Sequence, residues 1–377
     1  MRRPTRTHSW GSSLRCLVAL ASVGAAACGN LDDVTTVKDL RVLAIQAQPA
    51  GFLVDVNDPG SGSDADWQAT LTALIVDPTG LNETVQVTTA LGCPDYLDAI
   101  TAATGTTTRV CSPTPIPLPD PTLQAALAST PLVPPSGQSV PPTPDGGFTF
   151  LPTFQYGLTT SQLALLFASP PTGAPQVDAV LTNNRTFGLD AITSFAFTRG
   201  DQSALAVKRV VYWPMLDPAL YPGQAPNQNP AISDVGFFRS RDSATGDPQD
   251  PLAPGEVPEL SLAAGDDLYV LPAEATAETY TFYAKDRDHG GAIVATSAEE
   301  LLRYDFFATA GTFSPAERQS KPPALITSAD GRVHLDSQYK PPDAQHLPAD
   351  GNVTIWIVVH DERAGVGWIS RTIRVVP

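Results

Sequence analysis

Positive charge is what this chain has least of. Lys and Arg number 23 against 39 Asp and Glu in 377 residues, a formal net charge of -16. Four of the arginines, Arg2, Arg3, Arg6 and Arg15, stand at the amino terminus, and no basic cluster follows them. A surface that neutralises phosphates needs such a cluster, so nucleic acid and charge-held anionic lipid are poor partners. Long apolar runs are missing too. Residues 17–27 hold only apolar or small side chains, but a helix that spans roughly 30 Å of hydrocarbon needs about 20 such residues. Catalytic signatures are equally absent: no His-Glu-x-x-His suggests a zinc protease, and no serine sits in Gly-x-Ser-x-Gly. Cysteine is scarce, with four in all.

What is present begins with that basic start and short apolar run, which together read as a cleaved export signal over residues 1–27. The run ends in Ala25-Ala26-Ala27-Cys28, followed by Gly29, Asn30, Leu31, Asp32 and Asp33. This resembles the lipobox of bacterial lipoproteins, although Ala25 departs from the leucine preferred there. The resemblance implies lipidation of the Cys28 thiol, cleavage before it and acylation of the new terminus, a membrane anchor through two or more chains. It places the mature protein in the bacterial cell envelope, at the outer membrane. The alternative is an ordinary secretory signal cut near the alanines, which leaves Cys28 as a free thiol. Cleavage removes four arginines and no acid, so the formal charge moves from -16 to -20. Cys16 leaves with the signal. With Cys28 carrying lipid, Cys93 and Cys111 remain, and one pair in an exported chain reads as a disulfide, whose loop closure contributes about 3 kcal/mol. Two thiols alone make a poor zinc site, because structural zinc takes four ligands.

The mature chain reads as mostly β: tandem β-sandwich, immunoglobulin-like domains, the first irregular. A polar, lipidated tether covers residues 28–37, the first domain 38–225 and the second 226–377. In the first domain, strands are predicted at residues 40–47, 69–76 and 85–89, the middle one ending in the turn Asp77-Pro78-Thr79-Gly80. Residues 112–147 carry eleven prolines. Proline removes backbone donors, so a Pro-rich extended insertion is expected there, with one helical turn near residues 123–127 and no continuous strand. Strand-like segments resume at 162–167, which also fits a short helix, and at 192–197 and 204–213. In the second domain, strands are predicted at 268–271, 279–284, 304–309, 331–335, 353–359 and 368–376. Val353, Ile355, Ile357 and Val359 share one face of their strand and Thr354, Trp356 and Val358 the other. Both faces are too apolar for an edge, which places this strand centrally, and Arg363 falls in the surface turn of the hairpin after it.

Three stretches carry a further likeness: Leu40-Arg41-Val42-Leu43-Ala44-Ile45-Gln46-Ala47-Gln48-Pro49, Pro226-Asn227-Gln228-Asn229-Pro230, and Trp356 through His360-Asp361-Glu362-Arg363-Ala364-Gly365 to Trp368. In this order they resemble predicted lipoproteins of myxobacteria. The last, with Tyr304-Asp305-Phe306-Phe307 upstream, also looks like late strands of immunoglobulin-like or PKD-like modules. The first resemblance implies no catalytic residues; the second implies adhesion, scaffold or spacer roles by analogy of fold.

Asp286-Arg287-Asp288-His289-Gly290-Gly291 is the best metal-like run. Asp286, Asp288 and Gly291 match positions 1, 3 and 6 of a calcium loop, but Gly290 and Ser297 stand where ligands 5 and 12 belong. An acidic hairpin loop is the plainer reading, with Asp286 and Asp288 as weak calcium candidates. His360 and Asp361, at the end of an apolar strand, invite a catalytic reading, yet strands commonly end in such residues. Trp356 and Trp368 read as a cross-strand or core pair. No catalytic set emerges. The expectation is a non-catalytic envelope lipoprotein, structural or binding an envelope protein or glycan; the alternative is a dispersed-site hydrolase or a calcium-dependent carbohydrate-binding protein.

Overall fold

Alternating apolar side chains, broken every few residues by Gly, Pro and Asp, make strands rather than helices, and the chain folds into four main β-sheets and a separate hairpin. The structure is a computed structural model. It describes residues 34–79, 83–94, 111, 121–126, 128–133, 137–143, 148–169, 175–286, 292–321 and 333–377. Residues from Thr35 to Pro377 form one compact unit.

Two sheets make the first core. Arg41–Gln48 pairs with Gln68–Val76, which also takes Thr149–Phe150 and Thr153–Gly157. The facing sheet runs Gly51–Val54, Gln202–Pro214, Leu189–Arg199, Val85–Pro94 and Thr130–Pro131. Leu71, Ala73 and Ile75 from one side meet Phe195, Phe197 and Tyr212 from the other, with Phe154 and Phe195 ring centres 4.9 Å apart. The second core lies between two five-stranded sheets. One is ordered Pro248–Pro251, Val235–Arg241, Leu268–Pro272, Ser337–Lys340 and Thr312–Ser314; the other is Glu259–Ser261, Val366–Val376, Asn352–His360, Arg303–Ala308 and Glu317–Gln319.

A third cluster joins them. Leu43, Ala44, Leu74 and Val76 of the first sheet pack on Trp356, Val358 and Val366. This explains why Asn352–His360 is apolar on both faces: Val353, Ile355, Ile357 and Val359 fill the second core while Trp356 and Val358 fill the seam. The strand is central, with Arg303–Ala308 on one side and Val366–Val376 on the other.

The structure also departs from the expectations. The tether reading covered residues 35–37, but Thr35 and Val37 are buried. Val37 N–H donates to Ala308 O at 2.8 Å and Ala308 N–H to Thr35 O at 2.9 Å, so these β-prone residues join the second core's sheet rather than spanning solvent. Residues 162–167 are helical: in Thr160–Leu166 the Thr159 hydroxyl accepts from Gln162 N–H while Gln162 Oε1 accepts from Thr159 N–H, a reciprocal cap that selects helix over strand. A second helix, Pro175–Phe187, was not expected, although proline opens it and Gly188, at φ +88°, follows it. The Pro-rich stretch contributes the helix Pro121–Ala126 and two-residue strands, Thr130–Pro131 and Ser139–Val140, that edge Val85–Pro94. Of the strand expected at 331–335, residues 331 and 332 lie outside the described residues and 333–335 lie outside any strand; the pairing strand is Ser337–Lys340. Among the described residues, Thr279–Asp286 pairs with Ala292–Glu299 alone, as a two-stranded hairpin outside both sandwiches.

Candidate functional site

The three stretches that carried the sequence likeness meet at one point, the turn 361–365 between Asn352–His360 and Val366–Val376. Asp361 folds the turn on itself: its Oδ1 accepts Gly365 N–H at 2.6 Å. A Cβ at Gly365 would come within 2.1 Å of Asp361 Oδ2, and one at Gly367 within 1.9 Å of Pro230 O, so both positions require glycine. Asn227 donates to Asp361 Oδ2 at 3.1 Å. Asn229 accepts Val366 N–H at 2.9 Å and donates to Ala47 O at 2.7 Å, while Gln46 donates to Val366 O at 2.8 Å. The middle stretch therefore ties the first strand of one core to the last hairpin of the other.

Charge is buried around this turn. Lys208, on Gln202–Pro214, donates to Ala364 O, and its neighbour Arg209 donates to Glu362 O at 3.1 Å. Arg363 was expected in a surface turn, yet it is only 5% exposed. Its Nε donates to Glu300 Oε1 at 2.7 Å and its Nη2 to Glu278 Oε2, while its guanidinium lies 4.4 Å from the Tyr280 ring centre. Tyr280 in turn donates to Glu362 Oε1 at 2.7 Å. Glu278 and Glu300 sit at the base of the two-stranded hairpin, bonded to each other through Glu300 N–H to Glu278 O at 2.9 Å. The sequence hid this because a guanidinium in a polar, glycine-containing turn looks solvated until its partners, 63 and 85 residues away, are folded onto it.

Burial sets the protonation of these groups. It pushes the Asp361 carboxyl up, against the bonds from Asn227 and Gly365. It pushes Glu300 up as well, opposed by the Glu278 backbone and Arg363. It pulls Lys208 down to about 7, the nearby Asp361 charge opposing the fall. Tyr280 is raised by burial and then by its bond to Glu362. Perturbed groups that converge beside a cavity are where binding sites are sought first.

Such a cavity adjoins the junction. A cleft of about 640 Å³ is lined by Trp213, Tyr221, Gln224, Tyr280 and Phe282, with Glu278 and Arg363 shared with the charged cluster. Gln224 staples one wall: its Oε1 accepts Leu216 N–H at 2.9 Å, and its Nε2 donates to Leu216 O and Tyr221 O, each at 3.0 Å. A second groove, of about 900 Å³, runs past Phe148, Trp356 and Trp368 beside the seam.

The other sequence candidates fall elsewhere. Cys93 and Cys111 stand at disulfide distance, Cα atoms 5.6 Å apart. Cys28 and Asp288 lie outside the described residues, and Asp286 is described only as the last residue of its strand. His360 Nε2 is 3.2 Å from Asp305 Oδ2 on the neighbouring strand, and His346 pairs locally with Asp343 at 2.6 Å. Asp361 serves the turn through Asn227 and Gly365 and does not form a dyad with His360. Trp356 is buried edge-on to Phe148, centres 6.1 Å apart, and the half-buried Trp368 packs on the same seam. Among the described residues, no three His, Cys, Asp or Glu side chains come together as a metal-holding group.

No protein-family model matches this chain, and no curated protein does. Among solved structures it is similar to Escherichia coli alpha-2-macroglobulin in its native conformation, at 10% identity over 89% of this chain and 17% of that one, with a TM-score of 0.21. It is similar to a DUF4785 family protein from Legionella pneumophila at 10% identity, over 88% of this chain and 56% of that one, with a TM-score of 0.17. Dimeric latent PorU from Porphyromonas gingivalis gives 10% identity over 90% and 24%, with a TM-score of 0.18. This chain spans about a sixth of the macroglobulin's length. Likenesses of this depth say nothing about activity.

Proposed function

We propose that this chain is an exported envelope lipoprotein, held to the outer membrane through Cys28, whose mature part acts by structure or binding and not by catalysis. The observation that carries the reading is the order of its first residues: four arginines, an apolar run too short to span, and Ala25-Ala26-Ala27-Cys28. Two or more acyl chains give durable anchoring where a single chain gives only marginal binding. The strongest charged cluster supports a non-catalytic body, because Arg363, Glu278 and Glu300 satisfy one another. Its partners are then the bilayer, through lipid, and an envelope protein or glycan.

Replacing Cys28 tests the anchor. In the native host, the wild-type protein should incorporate labelled fatty acid and give an intact mass matching an acylated terminus at residue 28. Cys28→Ser should lose the label and accumulate uncleaved or differently processed chain. An unmodified mature terminus in the native host would falsify the anchor.

A further inference from the structure

We propose that the cleft beside the junction binds an uncharged oligosaccharide. The inference deepens the binding role proposed above and is independent of the lipid anchor. A volume of about 640 Å³ lies within the roughly 300–1,000 Å³ of small-ligand sites, which pair apolar walls with a few placed polar groups.

The walls decide the ligand's chemistry. Phe282 and Tyr280 are two residues apart on one strand, their ring centres 5.2 Å apart and their planes 25° from parallel. Trp213 and Tyr221 come from the first core's side. Tyr280, covered by Arg363 and stacked on Phe282, braces this wall, while the half-buried rings of Phe282, Trp213 and Tyr221 offer apolar surface to C–H groups. Thr276 and Thr279 line the same cleft beside the rings and bring hydroxyl groups to it.

Charged ligands fit badly. The cleft's guanidinium, Arg363, is committed to Glu278 and Glu300, so among the described lining residues an anion meets no unpaired cation, on a chain already strongly acidic. An incoming cation must in turn displace Arg363 from those carboxylates, breaking a buried pair. What remains is a neutral ligand with both apolar faces and many oxygens, the chemistry of a sugar chain.

The full mature protein in detergent, carrying 5-fluorotryptophan, tests this. Its four tryptophans are Trp67, Trp213, Trp356 and Trp368, and Trp213→Phe assigns the resonance in the cleft. Chitotetraose, cellotetraose and maltotetraose serve as neutral probes, with inorganic phosphate and spermidine as charged ones. At least one tetrasaccharide should move the Trp213 resonance saturably, and Phe282→Ala and Tyr221→Ala should each weaken its binding about tenfold or more. Tyr280→Phe keeps the ring and should retain binding. No shift with any of the three at about 10 mM, an equal response to phosphate or spermidine, or unchanged affinity in both alanine variants overturns the proposal. A shift at Trp368 alone does the same, because it assigns binding to the other groove. A variant is scored only when its unfolding midpoint shows it folded, and fatty-acid labelling, read separately, keeps a failed cleft distinct from a failed anchor.

Discussion

The strand Asn352–His360 and the turn 361–365 adjoin in sequence, and both bury side chains deeply, but opposite forces hold them. In the strand, Val353, Ile355, Ile357 and Val359 are removed from water in the second core, and Trp356 and Val358 in the seam. That burial is non-directional and roughly proportional to area. In the turn, Asp361 and Arg363 are 8% and 5% exposed and depend on named partners: Asn227 and Gly365 for one, Glu278, Glu300 and Tyr280 for the other. Buried charge is directional, and removing one partner strands the rest. The strand therefore supplies stability to one core, whereas the turn fixes how the two cores and the hairpin meet.

Breaking each half of this contrast gives the two largest expected effects. Ile357→Asp places a carboxylate at a position only 1% exposed, opposite Phe306 and Ile369. It should leave the mature chain unfolded or destabilised by more than about 4 kcal/mol, as read by urea denaturation. Arg363→Ala follows. As a surface-turn change it would cost within about 0.5 kcal/mol, but it uncovers Glu300, 1% exposed, and should cost about 3–5 kcal/mol. Arg363→Met combined with Glu278→Gln and Glu300→Gln removes the charge on all sides and should recover most of that loss. If Arg363→Ala changes the midpoint no more than an exposed substitution does, the cluster contributes no measurable stability and the contrast fails.

The covalent tie of the first core ranks next. Cys111 Sγ lies 3.0 Å from Ile192 O, and Cys111 N–H reaches the Ser194 hydroxyl at 3.1 Å, so Cys111 itself is pinned against Leu189–Arg199. Cys93→Ala with Cys111→Ala should cost about 3 kcal/mol through the lost loop constraint. Reducing agent should shift the wild-type midpoint by the same amount and the double variant not at all. A wild-type midpoint indifferent to reductant would show that the pair is not bridged or contributes nothing.

These cases show which features a sequence exposes. Apolar period is local, so the central place of Asn352–His360 followed from its own side chains, and its second face announced a partner without naming it. The Asn227 and Asn229 stretch and the 361–365 turn were visible as motifs. Their meeting was not, because it depends on contacts more than 130 residues apart. Lys208 was hidden more thoroughly. It sits in a strand whose preceding residues alternate outward, so it reads as one more solvated side chain until the turn covers it. Pro175–Phe187 has its punctuation, an opening proline and a closing glycine, but its Thr182, Asn183, Asn184 and Thr186 are poor helix formers that blur the signal between them.

Lys208 gives the smallest effect at neutral pH and the sharpest test of directional burial. Its folded pKa is lowered to about 7 from an ordinary 10.5. Between those values the unfolded chain holds the proton and the folded chain does not, so this group makes stability rise with pH across the window. Below about pH 7 both states are protonated, and the cost of the buried charge is fully present. Lys208→Met removes the titration while keeping the stem's volume. Near pH 7 it trades the bond to Ala364 O for relief from desolvation, and the expected change is under about 1.5 kcal/mol. From pH 7 to 9.5 the wild type should gain stability relative to Lys208→Met. The neighbouring Asp361 does not mimic this: burial raises its carboxyl pKa, so its own contribution makes stability fall with rising pH, the opposite sign. Parallel stability curves for the two proteins over that window would mean that Lys208 keeps its ordinary pKa and reaches water, and the turn would then be held without it, through Gln46, Arg209, Asn227, Asn229 and Arg363.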